Sequence, residues 1–376
     1  MKKRQWLMKI HTWLGLVALV PLLISCFTGA LLVFKYEIDA LLRDDMVQVD
    51  VLEQRLELDE LRRRINQQLP DYEISGWVLF QQPERADVVY LIPQGGHEWH
   101  HVYVDGYRGE ILSPPALATS YFTDWLLELH YTLLLDHVGL LISAIASSLL
   151  LLLGLSGLFI YRRFWKNLLR LRLTAARTTM YVDTHSSFGM TLAPVFLILG
   201  FTGAYWNIMH LVQEGLVHDD SAEYHLQGRL YNDELSFDRL QQQAEAAIDG
   251  FRATYISLPY NPQRPFVFYG DVSAANPLLS QYANQVTFDA QSGELLDRRD
   301  IRNQGVLVKI DDSFRRLHFG DFGGVLVKLI WCLSGLVALW LGYTGVSVWW
   351  SKQSAKRRAR QKRAARQVDP EVAVNR

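Results

Sequence analysis

Histidines recur in this chain inside short motifs that occur twice. His11-Thr-Trp-Leu-Gly15 returns as His185-Ser-Ser-Phe-Gly189, and Phe27-Thr-Gly29-Ala30 returns as Phe201-Thr-Gly203-Ala204 at the same offset. Leu129-His130-Tyr131 corresponds to Leu317-His318-Phe319, and Leu153-Gly154-Leu-Ser-Gly157 to Leu341-Gly342-Tyr-Thr-Gly345, again at one common offset. At about 100° per residue, His11 and Gly15 lie within about 40° of each other, and Gly29 returns to the azimuth of His11. His185, Gly189 and Gly203 repeat that stripe, and His210 falls within about 20° of His185. A histidine with a glycine one turn away suits a flat macrocycle: imidazole binds the iron, and the missing side chain admits the porphyrin to the backbone. His11 with His185, and His130 with His318, would supply the four axial ligands of two bis-histidine haem b groups, one near each membrane face. Taken singly, each histidine is explained as well by an interfacial position, and each glycine by helix packing; the paired occurrence favours ligation. His137, seven residues after His130 on nearly the same face, is a substitute ligand or a propionate partner. It has no counterpart in the last apolar run, and His210 has none in the first, where Tyr36 stands. Cys26 and Cys332 lack symmetric counterparts and form neither a CxxC site nor a disulfide framework.

These motifs are carried by long apolar runs. Apolar residues make up 49% of the 376 and charged residues 20%, with a formal net charge of −1, which excludes an overall basic nucleic-acid binder. Thr12–Phe34, Val138–Tyr161, Ser186–Gln213 and Leu329–Ser351 contain no charged residue, and each is long enough to cross about 30 Å of hydrocarbon as a helix. Lys2, Lys3, Arg4 and Lys9 precede the first run. Arg162, Arg163, Lys166, Arg170, Arg172 and Arg177 link the second and third, and a basic tail from Lys352 to Arg366 follows the fourth. All three clusters fall on one side, expected to be the cytoplasm, so that this multi-pass protein has both termini inside. A cleaved signal ending at Cys26 is the alternative for the first run, but apolar sequence continues to Phe34. The tail reads as a topology signal or an anionic-lipid contact.

The expected organisation is membrane α-helical plus α+β: four transmembrane helices in two parallel repeats, each repeat carrying an exported domain, related by an axis along the membrane normal. The segments are 1–34, an exported domain 35–125, 126–161, a cytoplasmic link 162–184, 185–213, a second exported domain 214–314, 315–351 and the tail 352–376. As one straight helix, His130 to Tyr161 would measure about 46 Å, raising His130 and His318 above the hydrocarbon. In the exported domains, Leu56–Leu69 and Leu235–Ile248 have helical spacing. Gly76–Phe80, Val88–Ile92, His101–Val104, Ala253–Leu258, Pro265–Tyr269 and Gln285–Phe288 read as strands, with turns at Asp105…Gly109 and Asp289…Gly293. The run His97-Glu-Trp99-His100-His101 is the most suggestive substrate or metal patch; as a strand it would place His97, Trp99 and His101 on one face, and as a solvated hairpin it would do nothing.

The signatures HTWLGLVALV…FTGALLVF, ELHYTLLLDHVG, HSSFGMTLAP…FTGAYW and LHFGDFGG…LGYTGVSVWW resemble the PepSY-associated transmembrane protein family, and within it the inner-membrane ferric-siderophore (ferrioxamine) reductases, over residues 5–351. The resemblance implies a four-helix unit of the bacterial inner membrane with two PepSY-like periplasmic domains, and haem-mediated reduction of siderophore-bound ferric iron. The family's histidine motifs fall on His11, His130, His185 and His318. No GxGxxG follows a strand, so electrons are expected from membrane quinol or a cytoplasmic reductase. The expected partners are a ferric siderophore and membrane lipid, not nucleic acid. Two other readings are a haem subunit that serves a partner protein, and a non-catalytic PepSY module that binds peptides or regulates a peptidase.

Overall fold

The computed structural model describes residues 2–161, 172, 175–216, 224–272 and 276–368. Arg162, Arg163, Lys166 and Arg170 of the basic link, and the Arg366 side chain, lie outside the described residues. In chain order the helices are α1 (Lys2–Val17), α2 (Leu19–Leu32), α3 (Lys35–Leu42), α4 (Asp44–Val47), α5 (Leu58–Gln68), α6 (Phe122–Tyr131), α7 (Asp136–Ile160), α8 (Arg177–Thr191), α9 (Ala193–Leu216), α10 (Phe237–Ala247), α11 (Val306–Phe319) and α12 (Gly324–Val368). The strands are β1 (Tyr72–Val78), β2 (Asp87–Pro93), β3 (His100–Val104), β4 (Ala116–Leu117), β5 (Phe251–Ser257), β6 (Phe266–Val272), β7 (Asn284–Phe288) and β8 (Leu295–Arg299). The chain divides into two compact units. One comprises Met1–Ala30, Leu129–Met209 and Leu329–Arg376; the other comprises Leu31–Glu128 and His210–Lys328.

The first unit is helical. Among the described residues, Asp136–Ile160, Ala193–Gln213 and Gly324–Ala364 are by length and composition able to cross a membrane, and α1 with α2 makes a fourth span if the bent pair is counted as one. That pair departs from the straight helix expected of the first apolar run. It bends by 68° at Ala18, because Pro21 has no N–H to bond the Val17 carbonyl. The azimuth that related His11 to Gly29 therefore does not hold across the bend. The third apolar run is interrupted as well, at Leu192 just before Pro194, so the stripe from His185 through Gly203 to His210 does not lie on one helix.

A second correction concerns His130. The 46 Å helix is replaced by α6, a reversal at Thr132–Leu135, and α7. Leu133, Leu134 and Asp136 all have positive φ, at 55°, 58° and 48°, a conformation that side chains with a Cβ seldom adopt. Gly139 permits the reversal: a Cβ there would collide with the Thr132 carbonyl oxygen.

In the second unit the described strands form one antiparallel sheet of eight, ordered β4-β3-β2-β1-β5-β6-β7-β8. Each half is a meander preceded by a helix, and the halves join through their first strands, with Trp77 opposite Ile256. The predicted strands and helices are present with shifted ends; β4 and β8 extend the edges. The core is shared: Leu61 and Ile65 of α5, Phe237 and Leu240 of α10, and Trp77, Phe266, Phe268 and Phe288 of the sheet belong to one buried cluster. Asp105 accepts from the Tyr107 and Arg108 N–H groups, and Asp289 from those of Gln291 and Ser292. Gly109 and Gly293 follow with φ of 67° and 71°, so both turns take the form their sequences demand.

Candidate functional site

In the helical unit, His11 on α1 meets α7 and His185 on α8 meets α12 through matching contacts. His11 Nδ1 lies 2.8 Å from Ser156 Oγ, and His185 Nδ1 lies 3.1 Å from Thr344 Oγ1. Ser156 donates its hydroxyl hydrogen to the Leu153 carbonyl at 3.1 Å, and Thr344 donates to Trp340 at 2.8 Å. Each hydroxyl oxygen is thus left to accept from the imidazole. The ring hydrogen sits on Nδ1, and Nε2 keeps its lone pair, the tautomer a metal needs. A Cβ on Gly157 would stand 3.9 Å from His11 Cε1, and one on Gly345 would stand 3.4 Å from His185 Cε1. Ser156-Gly157 and Thr344-Gly345 occupy the same places in the repeated LGxSG and LGxTG motifs.

The two rings are brought together, with centroids 6.3 Å apart and planes at 81°. That is an edge-to-face contact at an ordinary ring-packing distance; by donor chemistry, two neutral imidazoles with Nδ1–H engaged are residues that would hold an iron porphyrin through Nε2. A bare-ion cage is not offered: among the described residues no cluster of three or more His, Cys, Asp or Glu side chains is arranged to hold a metal ion.

His130 at the end of α6 packs on α2. Its Nδ1 is 3.0 Å from the Ser25 carbonyl and 3.0 Å from Thr28 Oγ1. The Thr28 hydroxyl donates to Ile24 at 2.8 Å, so this ring also carries its hydrogen on Nδ1. A Cβ on Gly29 would lie 2.9 Å from His130 Cε1; Gly29 makes room for this histidine rather than extending a stripe from His11. His318 lies on α11 in the sheet-bearing unit, its ring 5.9 Å from that of Phe319. His137 is exposed in the first turn of α7, and His210 is exposed on α9. Gly15 and Gly189 pack on equivalent leucines, with Cβ positions 3.7 Å from Leu153 and 3.8 Å from Leu341. Gly203 lies in α9.

Sequence reading passed over the second layer: Ser25, Thr28, Ser156, Gly157, Thr344 and Gly345. The signal was present, because LGxSG and LGxTG were already visible as a repeat. Its meaning was hidden because Ser, Thr and Gly in apolar helices are common packing residues.

The histidine-rich run of the sheet unit is dispersed. Only His100 and His101 belong to β3, so the shared face expected of His97, Trp99 and His101 does not form. The His97 ring is 4.9 Å from that of His225, Trp99 packs on Tyr90 and Tyr260, and His101 is buried against Tyr103 and Tyr121. Burial holds His101 below the usual imidazole range, opposed by Asp124, whose Oδ2 is 3.6 Å from Nε2. Asp124 and Asp39 share Lys35, at 2.8 and 2.9 Å, which ties the start of α6 to α3. A separate polar cleft, lined by Arg252, Asp271, Ser280, Asn284 and Arg316 among others, includes none of the proposed ligands.

The α5 and α10 N-termini exchange caps. The Asp238 carboxylate accepts from the Leu58 and Asp59 N–H groups at 2.7 and 3.1 Å, and Asp59 accepts from the Phe237 N–H and the Ser236 hydroxyl at 2.8 and 2.5 Å. Each orphan helix start is satisfied from the opposite half of the sheet unit.

No curated protein matches the chain. The model of the PepSY-associated TM region matches residues 8–352, a stretch that takes in His11, His130, His185, His318 and both LGxSG-type motifs. The membrane-spanning helices, the antiparallel sheet and the paired histidine motifs thus belong to a PepSY-associated transmembrane protein, and the chain is a member of that family.

Proposed function

We propose that this protein is a dihaem reductase of the bacterial inner membrane that delivers electrons to ferric siderophores in the periplasm and releases Fe(II) for uptake. The four spans form two parallel repeats, both termini are cytoplasmic, and the two halves of the sheet are PepSY-like domains on the periplasmic side. His11 and His185 hold one haem b, and a second haem b takes His130 as a ligand, with His318 the remaining ligand candidate.

The observation that carries this reading is the matched setting of His11 and His185: two imidazoles on different helices, each with Nδ1–H held by a helix-bound hydroxyl, 6.3 Å apart. The 6.3 Å separation is an ordinary edge-to-face packing distance; what supports ligation is the same Nδ1-protonated tautomer set twice by equivalent hydroxyls. A haem, when bound, supplies a one-electron ferric–ferrous couple. The protein's share is to fix ring orientation and basicity through Ser156, Thr344, Ser25 and Thr28, and to keep the rings half-buried or better, away from bulk water.

The substrate class is the one that the resemblance to ferric-siderophore reductases implies. Hydroxamate siderophores present hard oxygen donors that favour Fe(III), and one added electron weakens their hold on the metal. Such a reaction needs no general base or nucleophile. The test is stopped-flow mixing of dithionite-reduced, desalted protein with a ferric trihydroxamate in the presence of an Fe(II)-specific chelator. Reoxidation coupled to stoichiometric Fe(II) capture is the expected result. Failure with every ferric siderophore tried, in a protein that contains haem, would overturn the substrate and point to a protein acceptor.

A further inference from the structure

The eight-stranded sheet has two faces, and only one belongs to the core shared with α5 and α10. Val89, Leu91, Ile256 and Phe268 belong to that core. Tyr90, Tyr255 and Tyr269, each next in sequence to one of them, therefore point to the other face. Tyr90 pairs with Gly76 of β1, and Tyr269 with Tyr255. A Cβ on Gly76 would collide with Tyr255 Oη, so the glycine opens a seat for the phenol in the middle of the sheet. Counted from the paired Trp77 and Ile256, Gly76 in the first half corresponds to Tyr255 in the second. The Tyr255 ring is 5.9 Å from that of Tyr269 and 6.0 Å from that of Tyr282, and Tyr90 and Tyr260 are close enough to act on it electrostatically. Trp99 joins Tyr90 to Tyr260, at 6.2 and 5.1 Å.

Packing accounts for the rings but not for the polar groups around them. Tyr90, Tyr255, Tyr260, Tyr269 and Tyr282 are all half-buried, yet none of their hydroxyls makes a hydrogen bond among the described residues. Burial pushes the Tyr90 and Tyr255 phenols above their usual range, so at neutral pH both keep a hydrogen to donate. Arg315 lies over the Tyr282 ring at 4.6 Å and Arg264 over the Tyr260 ring at 5.4 Å. Neither guanidinium forms an ion pair among the described residues, whereas Asp124, near Tyr90, is engaged by Lys35. The face thus offers hydrogen-bond donors, flat rings and positive charge without a counter-ion. Those groups suit a ligand rich in acceptor oxygens with apolar links between them. Counted from Trp77 and Ile256, and from Asp105 and Asp289, the opposite half carries Gln81 in place of Tyr260 and Ala283 in place of Trp99; the repeated fold requires neither.

We propose that Tyr90, Tyr255, Tyr282, Trp99 and Arg315 form the docking surface for a ferric trihydroxamate. The phenol hydroxyls and the Arg315 guanidinium donate to the hydroxamate oxygens, on which the negative charge of the chelate is concentrated. The methylene links between the hydroxamates lie on the aromatic faces. The choice of this chelate rests on the reductase reading; an acceptor-rich ligand on this face does not. Docking makes no bond to iron and moves no electron, so it can be measured apart from reduction.

The test is equilibrium binding of the gallium(III) complex of a neutral cyclic trihydroxamate to the full chain in nanodiscs. This complex has the shape and charge of the ferric one but is not reduced. Wild type should bind it saturably. Tyr90→Phe combined with Tyr255→Phe removes two hydroxyls and spares the rings; it should weaken binding about tenfold, with unchanged haem content. Arg315→Gln should weaken binding about three- to tenfold. Tyr72→Phe, whose ring packs on the core, should bind like wild type. Non-saturable uptake by wild type, or equal affinity in wild type, the double variant and Arg315→Gln, overturns the site; if such a protein still reduces the ferric complex, the reductase reading stands without it. Saturable binding that the double variant weakens, in a protein that carries no haem, upholds the site and removes the reductase reading.

Discussion

His11 and His185 stand 6.3 Å apart, ring centre to ring centre, with planes at 81°, although 174 positions separate them in the chain. Four helices cooperate in this arrangement: α1 and α8 bear the rings, and α7 and α12 bear the hydroxyls that fix them. In the proposed function this pair holds a haem, and the consequences can be measured one residue at a time.

The ligand assignment makes haem stoichiometry divisible. Replacing His11 or His185 with Ala should lower haem from two per chain to one, and replacing His130 or His318 should remove the other. Haem content from the pyridine haemochrome spectrum checks this; four variants that each retain two haems contradict the assignment.

The hydroxyl partners should matter nearly as much as the rings. Thr344→Val keeps the shape but removes the acceptor of His185 Nδ1–H, and Ser156→Ala does the same for His11. Loss of such a partner typically weakens metal-site affinity about 10–100-fold. The rate of haem transfer to a scavenging apoprotein should rise accordingly, with secondary structure unchanged.

The reversal before α7 depends on one glycine. Gly139→Ala would drive a Cβ into the Thr132 carbonyl oxygen, between residues already at positive φ. A destabilisation of about 2 kcal/mol or more is expected. It should appear as a lower unfolding temperature together with preferential loss of the haem proposed at His130.

Stability of the sheet unit should carry a pH signature from the exchanged caps. Burial, opposed by the Leu58 and Asp59 N–H groups and reinforced by the Asp59 carboxylate, pushes Asp238 up to about 6. Burial raises Asp59 too, but the Ser236 hydroxyl and Phe237 N–H outweigh it and hold Asp59 below its usual range. For Asp238 the folded state binds the proton more tightly than the unfolded chain. Its stabilisation is therefore full below pH 3.8 and is lost as pH rises through about 6. The unfolding temperature of wild type minus that of Asp238→Asn should fall between about pH 4 and 7; a difference independent of pH would show that the carboxyl does not titrate there.

Much of this architecture was legible in the residues. The four uncharged runs correspond, among the described residues, to three helices able to cross a membrane and to the bent α1–α2 pair, and Asp105…Gly109 and Asp289…Gly293 declared turns that require positive φ. The Leu56–Leu69 and Leu235–Ile248 helices were readable because apolar residues at helical spacing bury one face. What escaped depends on distant partners. Pro21 and Pro194 sit in runs whose hydropathy is uninterrupted, so composition reported spans where the backbone bends or breaks. The backbone reversal around Leu133 and Leu134 opposes their helical propensity and is imposed by the fit of Thr132 over Gly139. The join of β1 to β5 leaves no local mark, because an edge strand and a central strand are told apart only by what lies beside them. Among the ligands, the repeated His and Gly pairs were visible, while Ser156 and Thr344 looked like ordinary small residues of a packed helix.

The absorption spectrum of the purified full-length protein, oxidised and after dithionite, together with its iron and haem content per chain, bears most directly on the whole account. Two haems per chain with the sharp reduced bands of low-spin, six-coordinate iron are the expected result. A colourless, correctly folded protein without iron would contradict it, leaving His11 and His185 as packing residues and the membrane unit without an electron carrier.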